Sequence, residues 1–373
     1  MKVVIAIDSF KGSMTSMEAG NAAKKGILAA KPDAEVCLSP LADGGEGTVD
    51  ALIEGLGAEK IPVTVAGPLG EKVSCYYGFL EETKTAVMEM ASAAGITLVT
   101  KKDPLRASTY GVGEMIADAL KRGCKNFMIG IGGSATNDGG IGMLKALGFE
   151  FFDEDGNDVG EGAAALAKIE VIRTENKNPL LSGAEFQIAC DVKNPLCGKQ
   201  GATYIFGSQK GVTEEQKDQI DEAMRHYADV TKESLGCDFA DCEGAGAAGG
   251  LGYAFLSYLA GELIPGVELI LQATGLEEKM KNADVVVTGE GRLDAQTVMG
   301  KAPVGVAALA KKYNAKVIAF AGSVAPEASV CNQAGIDAFF PIVRGVTTLE
   351  EAMKKENAME NIAATAEQVF RLL

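Results

Sequence analysis

The sequence of 373 residues has little positive charge, one histidine and no long apolar run. Lys and Arg number 35 against 51 Asp and Glu, and the formal net charge of −16 argues against a broad surface for nucleic acid or an anionic membrane. His226 lies among charged residues in a helical pattern, which disfavours catalysis by histidine. Apolar runs stay well below the roughly eighteen residues that a membrane helix needs, and the start, MKVVIAIDSF, soon turns polar. We therefore expect neither a membrane span nor a signal peptide.

The eight cysteines also lack a recognisable motif. None is arranged as CxxC or at the Cys/His spacing of a metal site. We interpret them as reduced thiols and expect a cytoplasmic protein.

The composition is that of a globular α/β protein. Hydrophobic residues make up 47%, charged residues 23%, and the 46 glycines predict many tight turns. The length exceeds that of a single average core, so we expect two domains.

Both ends of the chain alternate between strand and helix patterns. Residues 3–7 are an apolar, β-branched run typical of a buried parallel strand, and residues 16–30 have helical character. The alternation continues to residue 56 and returns over residues 284–372. The two ends are therefore predicted to form one doubly wound parallel sheet.

The middle of the chain differs from the ends. Short extended runs near residues 61–65, 73–79 and 86–90 are separated by turn residues, and longer glycine-rich segments follow. We predict a second α/β domain, residues 65–273, inserted into a first domain made of residues 1–64 and 274–373. A cleft shared by the two domains is the expected ligand site.

The segment 126–148, NFMIGIGGSATNDGGIGMLKALG, predicts a strand, a tight loop and a helix start. Backbone N–H groups and side-chain donors for a phosphate are expected from Gly132, Gly133, Ser134, Thr136 and Asn137. A carboxylate at Asp138 beside a phosphate makes sense mainly if a divalent cation lies between them. The alternative is an ordinary strand-to-helix turn in which Asp138 caps the helix.

Two further polar clusters follow the first two predicted strands. The first, residues 8–13, contains Ser9 and Lys11, and an ammonium group there could bind a phosphate or a carboxylate. The second, residues 41–48, contains Asp43 and Glu46 around two glycines, which suits metal binding or proton acceptance. The alternative is a capping Asp8 with a solvated Lys11 in the first cluster, and a simple turn with a helix cap in the second.

Two more clusters lie further along the chain. Asp191 and Asn194 follow a strand-like run and could orient a hydroxyl group or a cation, although an Asn-Pro turn explains them equally well. The segment 287–301 places Glu290, Arg292 and Asp294 in alternation, with Lys301 downstream. Arg292 could hold a carboxylate through two hydrogen bonds, and a solvated charged loop is the alternative.

Two familiar motifs are excluded by their context. Residues 244–249, GAGAAG, fit a dinucleotide pattern but follow an acidic segment where that pattern requires a strand, so we expect a close helix start instead. Gly300-Lys301 resembles the end of a phosphate loop, yet Ala302 replaces the required Ser or Thr.

Taken in order, these motifs resemble the glycerate kinase family of the bacterial two-domain type. The resemblance spans nearly the whole chain and rests on residues 8–13, 42–48, 132–140, 190–192, 244–252 and 288–292. It implies phosphorylation of D-glycerate by ATP with Mg²⁺, with 2-phosphoglycerate favoured over 3-phosphoglycerate. It also implies a flavodoxin-like domain that carries an inserted second domain.

The resemblance suggests a role for each cluster. Lys11 is expected to meet the transferring phosphate, and Ser9, Arg292 and Lys301 are expected to bind glycerate. Candidates for the base and for a second metal contact are Asp43, Asp191 and Asp294. Asp138 and Glu290 are the expected metal ligands.

Three other functions remain open at this stage. One is an ATP-dependent kinase for another small hydroxy acid, which would share the phosphate-binding residues. Another is a nicotinamide-dependent dehydrogenase, suggested only by GAGAAG and the doubly wound ends. The third is a metabolite sensor without catalytic activity.

Overall fold

The structure is a computed structural model that describes residues 1–42 and 48–373. Its strands are β1 (Lys2–Ile7), β2 (Glu35–Leu38), β3 (Glu59–Ala66), β4 (Lys72–Leu80), β5 (Thr85–Glu89), β6 (Asn126–Gly130), β7 (Glu150–Phe152), β8 (Val171–Arg173), β9 (Glu185–Ala189), β10 (Glu262–Ile264), β11 (Val285–Leu293), β12 (Lys316–Val324) and β13 (Ala338–Pro341).

The α-helices are α1 (Ser16–Ala30), α2 (Thr48–Leu56), α3 (Ala91–Ala94), α4 (Tyr110–Lys121), α5 (Ile141–Ala146), α6 (Ala163–Leu166), α7 (Ala202–Lys210), α8 (Glu214–Leu235), α9 (Leu251–Leu259), α10 (Gly266–Ala273), α11 (Leu276–Met280), α12 (Ala302–Lys311), α13 (Val330–Gln333), α14 (Leu349–Met353) and α15 (Lys355–Phe370). Among the helices described, none is both long and apolar enough to cross a membrane.

The described residues form two compact units. The first unit comprises residues 1–42, 50–57 and 267–373, and the second comprises residues 48–49 and 58–266. The sequence predicts that the chain passes between domains at 64/65 and 273/274, which is about seven residues later at each crossing. The difference arises because β3 pairs with β4, from Glu59 opposite Phe79 onwards, and because Val267 of α10 lies against Gly305 of α12.

The first unit contains a five-stranded parallel sheet in the order β13-β12-β11-β1-β2. Counted along this unit alone, the order is 2-1-3-4-5, which is that of flavodoxin-like doubly wound folds. All four neighbouring pairs are parallel, with Val3 opposite Val285 and Val287 opposite Ile318. The predicted doubly wound α/β sheet is confirmed, because both ends of the chain contribute strands to it.

Two helices, α1 and α15, pack closely in the first unit. Helix α1 begins with a capping box, in which Thr15 accepts from the Glu18 N–H and Glu18 accepts from the Thr15 N–H. Gly26 permits the close approach, since a Cβ atom there would lie 1.9 Å from the carbonyl oxygen of Ala363. This packing covers β1 and β11 on one face of the sheet with a continuous apolar core.

The second unit has a mixed six-stranded sheet in the order β10-β9-β6-β5-β4-β3. The strands from β5 to β10 in that order are parallel, whereas β3, β4 and β5 pair antiparallel. Large buried side chains such as Tyr77, Phe127 and Phe255 form its own core. A separate antiparallel pair joins β7 and β8.

Candidate active site

A cavity of about 590 Å³ lies in the first unit at the carboxyl ends of its strands. In a parallel α/β sheet this edge is where ligands bind. The lining of the cavity brings together six of the predicted site residues, namely Ser9, Lys11, Glu290, Arg292, Asp294 and Lys301. They come from the loop after β1, from the end of β11 and from the segment that follows β11. Strands β1 and β11 are neighbours at the point where the strand order reverses.

Glu290 and Asp8 are both buried carboxylates that line this cavity. The Glu290 Oε1 accepts a hydrogen bond of 2.7 Å from the Thr297 hydroxyl, and the Lys301 Nζ lies 3.7 Å from the Glu290 Oε2. Burial raises the pKa of Glu290, while the Thr297 hydrogen bond and the charge of Lys301 oppose that rise. Thr297 is completely buried and also accepts a hydrogen bond from the Asp294 N–H at 3.2 Å. One threonine hydroxyl therefore fixes both the carboxylate and the turn that follows β11.

Asp294 is another acidic group of the cavity. The Lys301 Nζ lies 3.9 Å from its Oδ1, and the Arg292 Nε lies 3.6 Å from its Oδ2. The Arg292 side chain is 67% exposed. Both ion pairs are longer than direct hydrogen bonds. Lys301 and Arg292 could therefore bind an anionic ligand without losing a short contact to Asp294.

The loop after β1 is held against the same edge of the sheet. The Asp8 N–H donates to the Gly289 carbonyl at 2.9 Å, and Asp8 Oδ1 accepts from the Ser9 N–H at 2.6 Å. Gly12 has a φ of +78°, and a Cβ atom there would lie 3.0 Å from the Met353 Cε. These constraints place the exposed Lys11 in the lining of the cavity, near α14.

In the second unit, the glycine-rich loop between β6 and α5 has an open side and a buried side. Gly132 and Gly133 are exposed, and Gly133 has a φ of +74°, a conformation that favours glycine. Apart from Gly132 itself and its two chain neighbours, no described residue has a heavy atom within 4 Å of a Cβ built at Gly132. Ser134, by contrast, is buried. The two glycines therefore leave the backbone accessible to a ligand.

Asp138 lies on the buried side of that loop. Its Oδ2 accepts hydrogen bonds of 2.8 Å from both the N–H and the hydroxyl of Thr109, and its Oδ1 accepts from the Gly140 N–H at 3.1 Å. Burial raises its pKa, and these hydrogen bonds oppose the rise. The contacts join the starts of α4 and α5, so the geometry favours the capping alternative over the predicted role as a metal ligand. Within residues 1–42 and 48–373, no group of three or more His, Cys, Asp or Glu residues could hold a metal ion.

Lys210, at the end of α7, is an unexpected buried cation beneath the loop. Its Nζ donates to the Thr136 carbonyl at 2.7 Å, and burial lowers its pKa to about 7 although the charge of Asp138 opposes the change. Asn137 donates to the Thr203 hydroxyl at 3.0 Å. Within the part of the chain that the structure describes, the Thr136 hydroxyl and the side-chain Oδ1 of Asn137 have no hydrogen-bond partner. Thr136 and Asn137 thus support the loop from inside.

Asp191 and Asn194 belong to the second unit and do not line the cavity of the first unit. Asp191 is an exposed residue of the second unit whose Oδ1 accepts from the Gly266 N–H at 2.9 Å, and Asn194 donates to the Gln200 carbonyl at 2.8 Å. Asp43 and Glu46 lie outside the described residues. His226 is half-buried, with its Nε2 2.8 Å from the Ile169 carbonyl oxygen.

The GAGAAG segment packs against the glycine-rich loop. A Cβ atom at Gly249 would lie 2.2 Å from the Thr136 carbonyl oxygen, and the Gly139 N–H donates to the Gly249 carbonyl at 2.9 Å. Close backbone packing therefore explains these glycines without a dinucleotide.

Two buried residues, Thr297 and Lys210, had received no role from the sequence. A threonine or lysine near a glycine is common, and no local pattern distinguishes a buried one. Thr297 matters through its hydrogen bond to Glu290, and Lys210 through its hydrogen bond to Thr136. Lys210 and Thr136 are 74 positions apart in the chain.

Comparison with known proteins agrees with this architecture. The profile of the glycerate kinase family matches residues 3–373. A glycerate kinase from Bacillus subtilis strain 168 is 45% identical over 371 residues, covering 99% of this chain and 97% of the relative. A glycerate 2-kinase from Escherichia coli K12 is also 45% identical, with 98% of both chains covered.

A solved structure supports the same grouping. The crystal structure described as that of a glycerate kinase 2 from Salmonella typhimurium LT2 matches with a TM-score of 0.91 at 43% identity, covering 99% of this chain and 97% of the other. Family, sequence identity and fold agree over essentially the full length. This chain belongs to the glycerate kinase family, a family of phosphotransferase enzymes.

Proposed function

We propose that the protein transfers a phosphoryl group from ATP to D-glycerate, with Mg²⁺, and forms 2-phosphoglycerate. The observation that carries this proposal is the cavity of the first unit, which combines Lys11, Arg292 and Lys301 with Glu290 and Asp294 at the ligand-binding edge of a doubly wound sheet. The 2-kinase name of the Escherichia coli relative supports the choice of product.

The cations of the cavity are suited to two anionic groups. We assign Arg292 or Lys301 to the carboxylate of glycerate, because their contacts with Asp294 are long enough to be exchanged. Lys11 would meet the negative charge of the transferring phosphoryl group, and Ser9 would contact glycerate. Phosphoryl transfer depends mainly on such positioning and charge stabilisation.

The carboxylates supply the remaining chemistry. Asp294 is our candidate to accept the proton of the attacking hydroxyl. Glu290 Oε2 and Asp294 are oxygen donors in the same cavity, which suits Mg²⁺, an ion usually held by one or two carboxylates together with substrate phosphates. When bound, Mg²⁺ would neutralise phosphate charge. We propose no metal contact for Asp138, since its carboxylate accepts hydrogen bonds from Thr109 and Gly140.

In the second unit, phosphate binding by the glycine-rich loop remains part of the proposal. Gly132 and Gly133 would provide accessible backbone N–H groups, with Ser134 beside them and with Thr136 and Asn137 as internal supports. Asp43 remains a candidate on the sequence alone, and Asp191 remains one as an exposed carboxylate. A cytoplasmic location is likewise proposed, on the basis of eight free thiols.

The test is to incubate the protein with ATP, Mg²⁺ and D-glycerate, to measure ADP release, and to identify the product by phosphorus NMR. We expect 2-phosphoglycerate, and a loss of turnover of roughly a hundredfold or more in Asp294→Asn if Asp294 is the base. Asp284→Asn, at the amino end of β11, is the control for general effects of the substitution.

Each alternative has its own outcome in this test. If another hydroxy acid is turned over in preference to glycerate, that acid replaces glycerate as the proposed substrate. If the product is 3-phosphoglycerate, it replaces 2-phosphoglycerate as the proposed product. ATP binding without ADP release would favour a sensor. A change in nicotinamide absorbance with a hydroxy acid would favour a dehydrogenase.

A further inference from the structure

The cavity of the first unit has an apolar wall that the proposed chemistry of glycerate does not use. This wall consists of Ile342, Val343, Leu349, Ala352 and Met353, from the segment after β13 and from α14. The charged residues of the cavity come instead from the end of β11 and the loop after β1. Since β12 separates β13 from β11, the apolar wall begins about 10 Å from β11, the strand that carries Glu290.

The size of the cavity also exceeds what glycerate needs. With roughly 30 Å³ for each water in the liquid, a small three-carbon acid takes on the order of 100 Å³. The cavity holds about 590 Å³, within the range of roughly 300–1,000 Å³ typical of pockets for larger ligands. Most of the volume is therefore available for a second substrate.

The apolar wall is partly exposed to solvent. Leu349 is 76% exposed and Met353 is 37% exposed. Exposed apolar side chains that line a concave site next to cations are typical of ligand binding. Glycerate has no apolar face to cover them, whereas a nucleoside has a flat base.

We propose that the nucleoside of ATP binds against the wall formed by Ile342, Val343, Leu349, Ala352 and Met353. This inference rests on the proposed function. Lys11 directly precedes Gly12, and a Cβ atom at Gly12 would lie 3.0 Å from the Met353 Cε of this wall. A nucleotide on the wall can therefore direct its phosphates to Lys11. Glycerate then occupies the side of Arg292 and Lys301. The nucleoside and the acid are thus both accommodated in the cavity of the first unit.

A fluorescence experiment tests the position of the nucleotide directly. The chain contains no tryptophan, so Met353→Trp creates a single donor on the apolar wall. We expect saturable energy transfer from this tryptophan to N-methylanthraniloyl-ATP, reversed by ATP and not by glycerate. Tyr313→Trp is the control, because residue 313 precedes β12 and lies at least about 20 Å along the strand from Ser323 in the cavity. Equal transfer in both variants would overturn the proposal.

A kinetic experiment supplies the second, independent measurement. Leu349→Asp places a charge on the wall and is expected to raise the KM for ATP at least tenfold, with the KM for glycerate changed less than twofold. Val346→Asp is the matched control, since Val346 is fully exposed and does not line this cavity. Circular dichroism of both variants confirms folding.

The two proposals fail in different ways. If the unchanged protein phosphorylates glycerate while Leu349→Asp keeps a normal KM for ATP and Met353→Trp shows no transfer, the nucleoside position is wrong and the function stands. If the unchanged protein does not phosphorylate glycerate, the proposed function is wrong.

Discussion

At the scale of single residues, the Thr297 hydroxyl opposes the rise that burial causes in the pKa of Glu290. This hydroxyl stabilises the ionised carboxylate, so Thr297→Val should raise the pKa of Glu290 further. A hydrogen bond to a charged group contributes about 1.5–3 kcal/mol, which corresponds to a shift of roughly one to two pH units. If the reaction needs ionised Glu290, the acid limb of the pH profile of kcat/KM should move to higher pH by that amount.

Thr297→Ser is the control for this prediction because it keeps the hydroxyl. Its pH profile should stay close to that of the unchanged protein. Identical shifts in the serine and valine variants would show that packing, and not the hydrogen bond, determines the effect.

Lys210 makes stability depend on pH. Its pKa of about 7 in the folded protein lies below the value of about 10.4 in an unfolded chain. The free-energy cost of burying the charged amine therefore has its full size below pH 7. This cost decreases as pH rises towards 10. Lys210→Met removes this pH-dependent cost. The free energy of unfolding of the variant minus that of the unchanged protein should therefore fall by up to about 1.4 kcal/mol per pH unit above pH 7.

Urea unfolding at pH 6.5, 8 and 9 measures the effect. The exposed Lys121, at the end of α4 in the same unit, provides the control variant Lys121→Met, which should show no such trend. A constant difference between Lys210→Met and the unchanged protein across this pH range would mean that Lys210 stays charged in the folded state.

At the scale of elements, one glycine sets the distance between α1 and α15. Alanine in a helix is normally more stable than glycine by about 1 kcal/mol. At Gly26 the added Cβ would lie 1.9 Å from the Ala363 carbonyl oxygen, and backbone cannot move aside without separating the helices. Gly26→Ala should therefore lower stability by about 1–3 kcal/mol.

Gly20→Ala in the same helix is the matched control. Its nearest neighbour is the Leu38 Cδ2 at 3.1 Å, a side-chain atom that can shift. We expect its stability to change by less than about 1 kcal/mol. If thermal denaturation shows equal losses for both variants, close packing at Gly26 is not the cause.

At the scale of the whole molecule, two units each have their own sheet and their own core. We therefore expect two overlapping transitions in differential scanning calorimetry. Gly26→Ala should lower only the transition of the first unit, and Lys210→Met should change only that of the second. A single transition that moves as a whole in both variants would show that the units unfold together.

Much of the fold follows from local patterns. The apolar runs of β1 and β11 and the breaks after them predict buried parallel strands with polar loops at one edge, and the structure has both. The placement of Ser9, Lys11, Glu290, Arg292, Asp294 and Lys301 around one cavity follows from that edge. The loop around Gly132 and Gly133 was also recognisable, because exposed glycines between a strand and a helix are a local feature.

Other features depend on partners far away in the chain. Asp138 is predicted as a metal ligand from the glycines beside it, whereas its carboxylate accepts hydrogen bonds from Thr109, 29 positions earlier, which no local pattern reveals. The burial of Lys210 and the pairing of β3 with β4 likewise require the folded chain. The strand and helix pattern, the doubly wound sheet and the charged loops can be predicted from the amino-acid order, because periodicity and turn residues act locally. Which polar groups are buried and hydrogen-bonded depends on how the folded chain packs, since burial and hydrogen-bond partners are properties of packing.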